Sequence, residues 1–141
     1  MRGYINVSLD LTKKIERSVD MAYFHLLAAW SNQDMEQIKK IISHDIKATL
    51  INNECEEIVM DYDGLIGLLQ QRFESNQEWD FEVIYNAQKS EYSIVVVEIT
   101  RENKRHELFE DKSLCTFFFN KGAHDNNLVR LDMVMGIKHT I

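Results

Sequence analysis

The spacing of apolar residues changes period midway through this chain. Over residues 14–30, Ile15, Val19, Ala22, Tyr23, Leu26, Leu27 and Trp30 recur at three- and four-residue intervals. That spacing makes one apolar stripe on a helix. From Trp79 onward, Phe81, Val83 and Tyr85 alternate with Asp80, Glu82 and Asn86, the period of a strand with one buried face. Helical segments followed by an alternating meander imply an α+β domain rather than interleaved α/β units. The length of 141 residues fits a single domain, expected over residues 1–141 with a core at about 14–137. A domain near this size buries roughly 68–70% of the surface its unfolded chain exposes, so it needs no metal or disulfide staple.

The segments between follow from local signals. Ser8 or Thr12 caps the first helix, and Ser31-Asn32 ends it. Asp34 is placed as the N-cap of a short second helix carrying Ile38, Ile41 and Ile42. Ser43-His44-Asp45 is expected to break that helix, with a strand at 46–51, a turn at Asn52-Asn53 and a return strand at 56–60. Asp61 or Asp63 caps a third helix whose apolar side is Leu65, Ile66, Leu68, Leu69 and Phe73. Gly64 and Gly67 lower its helix propensity or let it pack closely on the sheet. Further strands are expected at 92–100, 108–119 and 128–137. Ile94-Val95-Val96-Val97 is apolar on both faces and marks a central strand. In the last strand Val129, Leu131, Met133, Met135 and Ile137 are set against Arg130, Asp132 and Lys138.

Charge and composition narrow the function classes. The net charge of −7 repels nucleic acid phosphates and anionic lipid heads. No apolar run approaches the ~18 residues of a membrane span, and the start of the chain lacks an apolar signal core. A cytoplasmic location is expected, with no nucleic acid or membrane partner. Cys55 and Cys115 show no metal spacing and no CxxC, which fits a reduced pair better than a bridge. No two histidines stand at ligand spacing, so neither a metal nor a cofactor is expected.

The order helix, short helix, strand hairpin, helix and long strands resembles the nuclear transport factor 2-like superfamily, which includes SnoaL-like polyketide cyclases and ketosteroid isomerases. The resemblance covers about residues 14–137. It is carried by Ala28-Ala29-Trp30-Ser31-Asn32-Gln33-Asp34, by Ile38 and Ile41-Ile42, by Ser43-His44-Asp45-Ile46-Lys47-Ala48-Thr49, and by Asp63-Gly64-Leu65-Ile66. It implies three N-terminal helices packed on a strongly curved, mostly antiparallel sheet that encloses a cavity, and a homodimer. Ketosteroid isomerases use a strand aspartate as base and a first-helix tyrosine as hydrogen-bond donor, where a proton moves and charge develops. The Asp34-to-Asp45 spacing matches theirs without a gap. That register puts Leu50 at the base position and Leu26 at the tyrosine position, and leucine does neither job.

The expected function is therefore binding of a small, partly apolar ligand in the cone cavity. The ligand-binding candidates are Tyr23, Trp30, Leu50, Asp132 and Cys115. Tyr23 either donates its phenol into the cavity or is a core tyrosine, and Trp30 either lines the cavity or packs. Asp132, with Arg130 on its strand face, is a ligand-side carboxylate or an ordinary ion pair. Glu98 and Thr100 share the face of Tyr92, Ile94 and Val96 with the same ambiguity. Cys115 reads as a buried thiol. His25 and His44 read as exposed or capping residues, and His106, His124 and His139 fall near turns or the C-terminus. The alternatives are an isomerase, dehydratase or cyclase built from Tyr23, Asp132 or His25, and a protein-interaction module.

Overall fold

The computed structural model describes residues 22–75, 77–108, 111–123 and 125–138. The expected helical stretch at 14–21, its caps at Ser8 and Thr12, His124 and His139 lie outside them. Helix α1 (Ala22–Ser31) buries Tyr23, Leu26, Leu27, Ala29 and Trp30. Helix α2 (Met35–Ile41) starts where Asp34 Oδ1 accepts the Gln37 N–H at 3.3 Å. This satisfies a donor that the first helical turn leaves open.

Strand β1 (Ile42–Ile51) follows directly: the helix ends before Ser43-His44-Asp45, but those residues belong to the strand, which begins at Ile42 rather than Ile46. The reason is tertiary. Asn126 donates its side-chain amide to the Ile42 carbonyl at 2.9 Å and its N–H to the Lys40 carbonyl at 2.7 Å. Ile42 is thereby held beside Leu128, and the irregular residues become a bulge between Ile42 and Lys47. After β1 the chain turns into β2 (Glu57–Met60). Asn52 organises that turn by accepting the Glu54 and Glu56 N–H groups, while Cys55, not an asparagine, takes the positive φ of 62°.

Helix α3 (Tyr62–Glu74) is capped by Asp61, whose Oδ1 accepts the Gly64 N–H at 2.9 Å. Leu65, Ile66 and Leu69 are its buried side. The three described helices are thus not all N-terminal: α3 enters after the β1–β2 hairpin. It packs on β1, alongside the smaller contact that α2 makes with the same strand. A Cβ added at Gly67 would meet nothing within 4 Å, so this glycine does not serve close packing.

Strands β3 (Glu78–Lys89), β4 (Tyr92–Glu102), β5 (Lys112–Asn120) and β6 (Leu128–Ile137) complete one six-stranded sheet of order β2-β1-β6-β5-β4-β3. Among the described residues, only the β1–β6 pair is parallel. β4 is internal, as its two apolar faces imply. Its inner residues Val95, Val97 and Ile99 join Trp30, Phe81, Phe117, Phe119 and Leu131 in one core beneath the helices. Each such fully buried side chain contributes roughly 1.5–3 kcal/mol.

Bulges redirect two expected alternations. A shift between Val83 and Tyr85 pairs Tyr85 with Val96 on the outer face, where Tyr85 is exposed. Another near Gly136, whose φ is +68°, sends Ile137 to the outer face opposite Lys112. β5 begins at Lys112 rather than Leu108, which forms an isolated bridge to Glu102. Among the described residues, no helix is long and apolar enough to cross a membrane.

Candidate functional site

The helix-covered side of the sheet meets α3 in a cleft. Trp30 from α1, Leu65, Leu68, Leu69 and Arg72 from α3, and Leu50 and Met60 from the first hairpin line one part of it. Trp79, Ile99, Arg101, Ser113, Leu131 and Met133 from β3 to β6 line the rest. The space enclosed is about 20 Å³, room for a water-sized group, and about 460 Å³ when counted out to the open mouth. The indoles fill its base: Trp30 stands edge-on to Trp79, Phe81 and Phe117 at centroid distances of 5.5, 5.9 and 6.3 Å.

Polar groups in the cleft are few. The indole N–H groups of Trp30 and Trp79 are buried and have no hydrogen-bond acceptor among the described residues. Arg101 lies over the Trp79 ring at 5.6 Å and donates to Gln77 Oε1 at 3.1 Å. Gln77 in turn donates to the Arg72 carbonyl, and the Arg72 guanidinium reaches Met135 Sδ at 3.8 Å. Gln77 thus ties the end of α3 to β4.

The candidates drawn from the sequence separate. Trp30 and Leu50 line the cleft. Tyr23 and Cys115 are buried in the core and are not part of the lining. Burial, helped by the negative charge of Asp132, pushes the Cys115 thiol well above the usual thiol range. Asp132 lies on the outer face, where its carboxylate accepts from Thr49 Oγ1 at 2.7 Å and Arg130 Nε at 2.8 Å. His25 is exposed, with its ring against Phe24. Tyr23, His25 and Asp132 do not share a cleft. Leu26 is buried core, and His44 tilts against the Tyr62 ring at 4.6 Å. Cys55 and Cys115 are both free, one exposed and one buried. Among the described residues, no three His, Cys, Asp or Glu side chains group as metal ligands.

Trp79, Arg72 and Arg101 were not foreseen as site residues. Arg101 carried a signal: in strand period it falls on the face of Val95, Val97 and Ile99. A charge in phase with an apolar face marks either a cleft or a strand end.

Several solved structures share this arrangement of helices and sheet. A domain of unknown function with a cystatin-like fold from Nostoc punctiforme superposes with a TM-score of 0.66 at 15% identity, over 89% of this chain and 79% of that one. A ketosteroid isomerase-like protein from Erwinia carotovora atroseptica gives 0.62 at 16% identity, over 89% and 98%. This chain shares their cystatin-like, ketosteroid isomerase-like fold. A hypothetical protein of ketosteroid isomerase-like fold from Catenulispora acidiphila, in complex with trimethylamine, gives 0.60 at 6% identity, over 84% and 87%. No protein-family model and no curated protein matches the sequence.

Proposed function

We propose that this chain is a small-molecule-binding domain whose ligand enters between α3 and the helix-covered side of the sheet. The observation that carries this reading is the cleft itself: an apolar lining drawn from α1, α3, the first hairpin and β3 to β6, with a few polar side chains at its edge, the character of a small-molecule site. A protein of the same fold has been solved with a small molecule bound, which agrees with this reading. The acid–base alternative draws less support, because Tyr23, His25 and Asp132 stand apart.

Both tryptophans of the chain line the cleft, so intrinsic fluorescence reports on it directly. Cyclohexanone and hexanamide are expected to shift the emission and raise Tm. Leu68→Trp, which fills the cleft from α3, is expected to remove both responses. Silence from neutral and anionic small amphiphiles alike sinks the reading.

The same domain is proposed to act as a homodimer through the outer face of the sheet. Ile94, Val96, Leu114, Phe118 and Val134 are half-buried there, and Tyr85 and Tyr92 are exposed. An isologous interface there would set this apolar face against the same face of a second copy about a two-fold axis.

A further inference from the structure

We infer that the outer edge of β2 takes up an extended, basic segment of a partner protein as an added strand of the sheet. β2 and β3 are the edges of the described sheet. β3 is interrupted by its bulge at Ile84, whereas β2 keeps an unbroken register with β1. The hydrogen-bond phase of that ladder is set at the turn, where the Asn52 N–H donates to the Glu56 carbonyl at 3.0 Å. Bonded and non-bonded pairs alternate along an antiparallel ladder, so Leu50 with Ile58 and Ala48 with Met60 are bonded pairs. Glu57 and Val59 fall on the pairs between and turn their N–H and C=O groups away from β1. Among the described residues no strand lies beyond β2, so these groups face water in the phase that an added strand needs.

The side chains along this edge say what the segment carries. Val59 is 75% exposed on the outer face opposite Thr49, and Ile58 is 40% exposed on the helix-covered face opposite Leu50. An added strand lies beside one apolar side chain on each face, which calls for apolar residues at its centre. Acidic residues bracket the pair. Glu54, Glu56 and Glu57 precede it, Asp61 and Asp63 follow it, and all five are exposed. The stretch from Ala48 to Gln71 holds no Lys, Arg or His, and the cations of the outer face, Lys47 and Arg130, stand on β1 and β6, inside this edge. A segment with Lys or Arg on both sides of a short apolar core meets this edge with opposite charge. A second copy of β2 fits it poorly, because it lays the same acidic run alongside itself. Neither Glu57 nor Val59 lines the cleft, so the edge is separate from the ligand site.

Amide hydrogen exchange followed by NMR tests this with three end-capped peptides. One has Val-Thr-Val between two pairs of lysines, one has the same core between pairs of glutamates, and one is the lysine peptide with proline in place of its threonine. The lysine peptide is expected to slow exchange of the Glu57 and Val59 amides at least tenfold and to leave Ile58 and Met60, already bonded to β1, little changed. It is expected to bind at least tenfold more tightly than the other two, and more weakly as salt is added. Val59→Pro removes an outward N–H and no bond to β1, and is expected to abolish binding. Val59→Lys keeps the backbone, puts a cation on the edge and is expected to weaken binding at least tenfold, so it carries the test if circular dichroism shows Val59→Pro misfolded. Equal binding of the glutamate peptide overturns the basic partner, and equal binding of the proline peptide overturns strand addition. No binding of the lysine peptide up to millimolar concentration, or binding that leaves Glu57 and Val59 unprotected, overturns the proposal. Protection of those two amides that grows with protein concentration alone gives the edge to a second copy and overturns it as well.

Discussion

Cys115 shows how much a single residue's chemistry depends on where the sheet puts it. It points inward from β5, paired in register with Val97 and Met133, and is fully buried. A thiolate there loses its hydration, so the proton stays on. At neutral pH a thiol reagent is expected to modify one cysteine of the native protein, Cys55, and both after unfolding in guanidinium. Its effect on stability has a definite sign. Because the folded pKa is raised, folded and unfolded chains both hold the proton below the ordinary thiol range. Above that range the unfolded chain releases it first, so stability falls as pH rises towards the folded pKa. Cys115→Val is expected to flatten that alkaline decline in urea melts, and equal slopes for the two proteins refute the assignment. The buried thiol was legible from its apolar neighbours in sequence. The contribution of Asp132 was not, because it comes from the neighbouring strand and the opposite face of the sheet.

At the scale of elements, caps could be read directly and strand faces could not. Asp34 and Asp61 each meet a backbone N–H three residues on, a contact fixed within one turn of chain. Asp34→Ala and Asp61→Ala are each expected to cost about 1 kcal/mol in denaturant unfolding, and nearly twice that together, since the helices they cap are separate. Cap losses well below a few tenths of a kcal/mol contradict this placement. Strand faces failed where bulges intervene. The alternation through Trp79, Phe81 and Val83 holds until the extra residue Ile84, after which Tyr85 turns outward. A bulge moves every later side chain of its strand to the other face, and its position is set by the partner strand.

For the molecule as a whole, the open question is what covers the outer face. Sheet faces this apolar are commonly covered, and a second copy of the chain is the proposed cover. Light scattering at micromolar concentration is expected to give the mass of a dimer. Val96→Glu, in the middle of the face, is expected to give a folded monomer with unchanged circular dichroism. The half-exposed side chain of Val96 makes this a test of association rather than of the core. A wild-type monomer at that concentration removes the dimer. The two edges differ as well: β2 is short and exposes Ile58 and Val59, whereas β3 is long and carries Asp80 and Glu82 beside its bulge.

By itself the sequence determined the α+β class, the order of elements, the capped helix starts and the absence of a tyrosine and an aspartate at Leu26 and Leu50. Each of these depends on residues near one another in the chain or on a pattern repeated along it. Tertiary structure decided the rest. It drew β1 back to Ile42 through Asn126, inserted α3 against the hairpin, turned Tyr85 and Ile137 outward, and set Asp132 on the face away from the cleft. It also brought Arg72 and Arg101, from a helix end and a strand, to one mouth beside two indoles. Local spacing fixes which side of its own element a residue takes. Which cleft that side faces depends on strand order and bulges, and those are chosen by contacts between segments far apart in the chain.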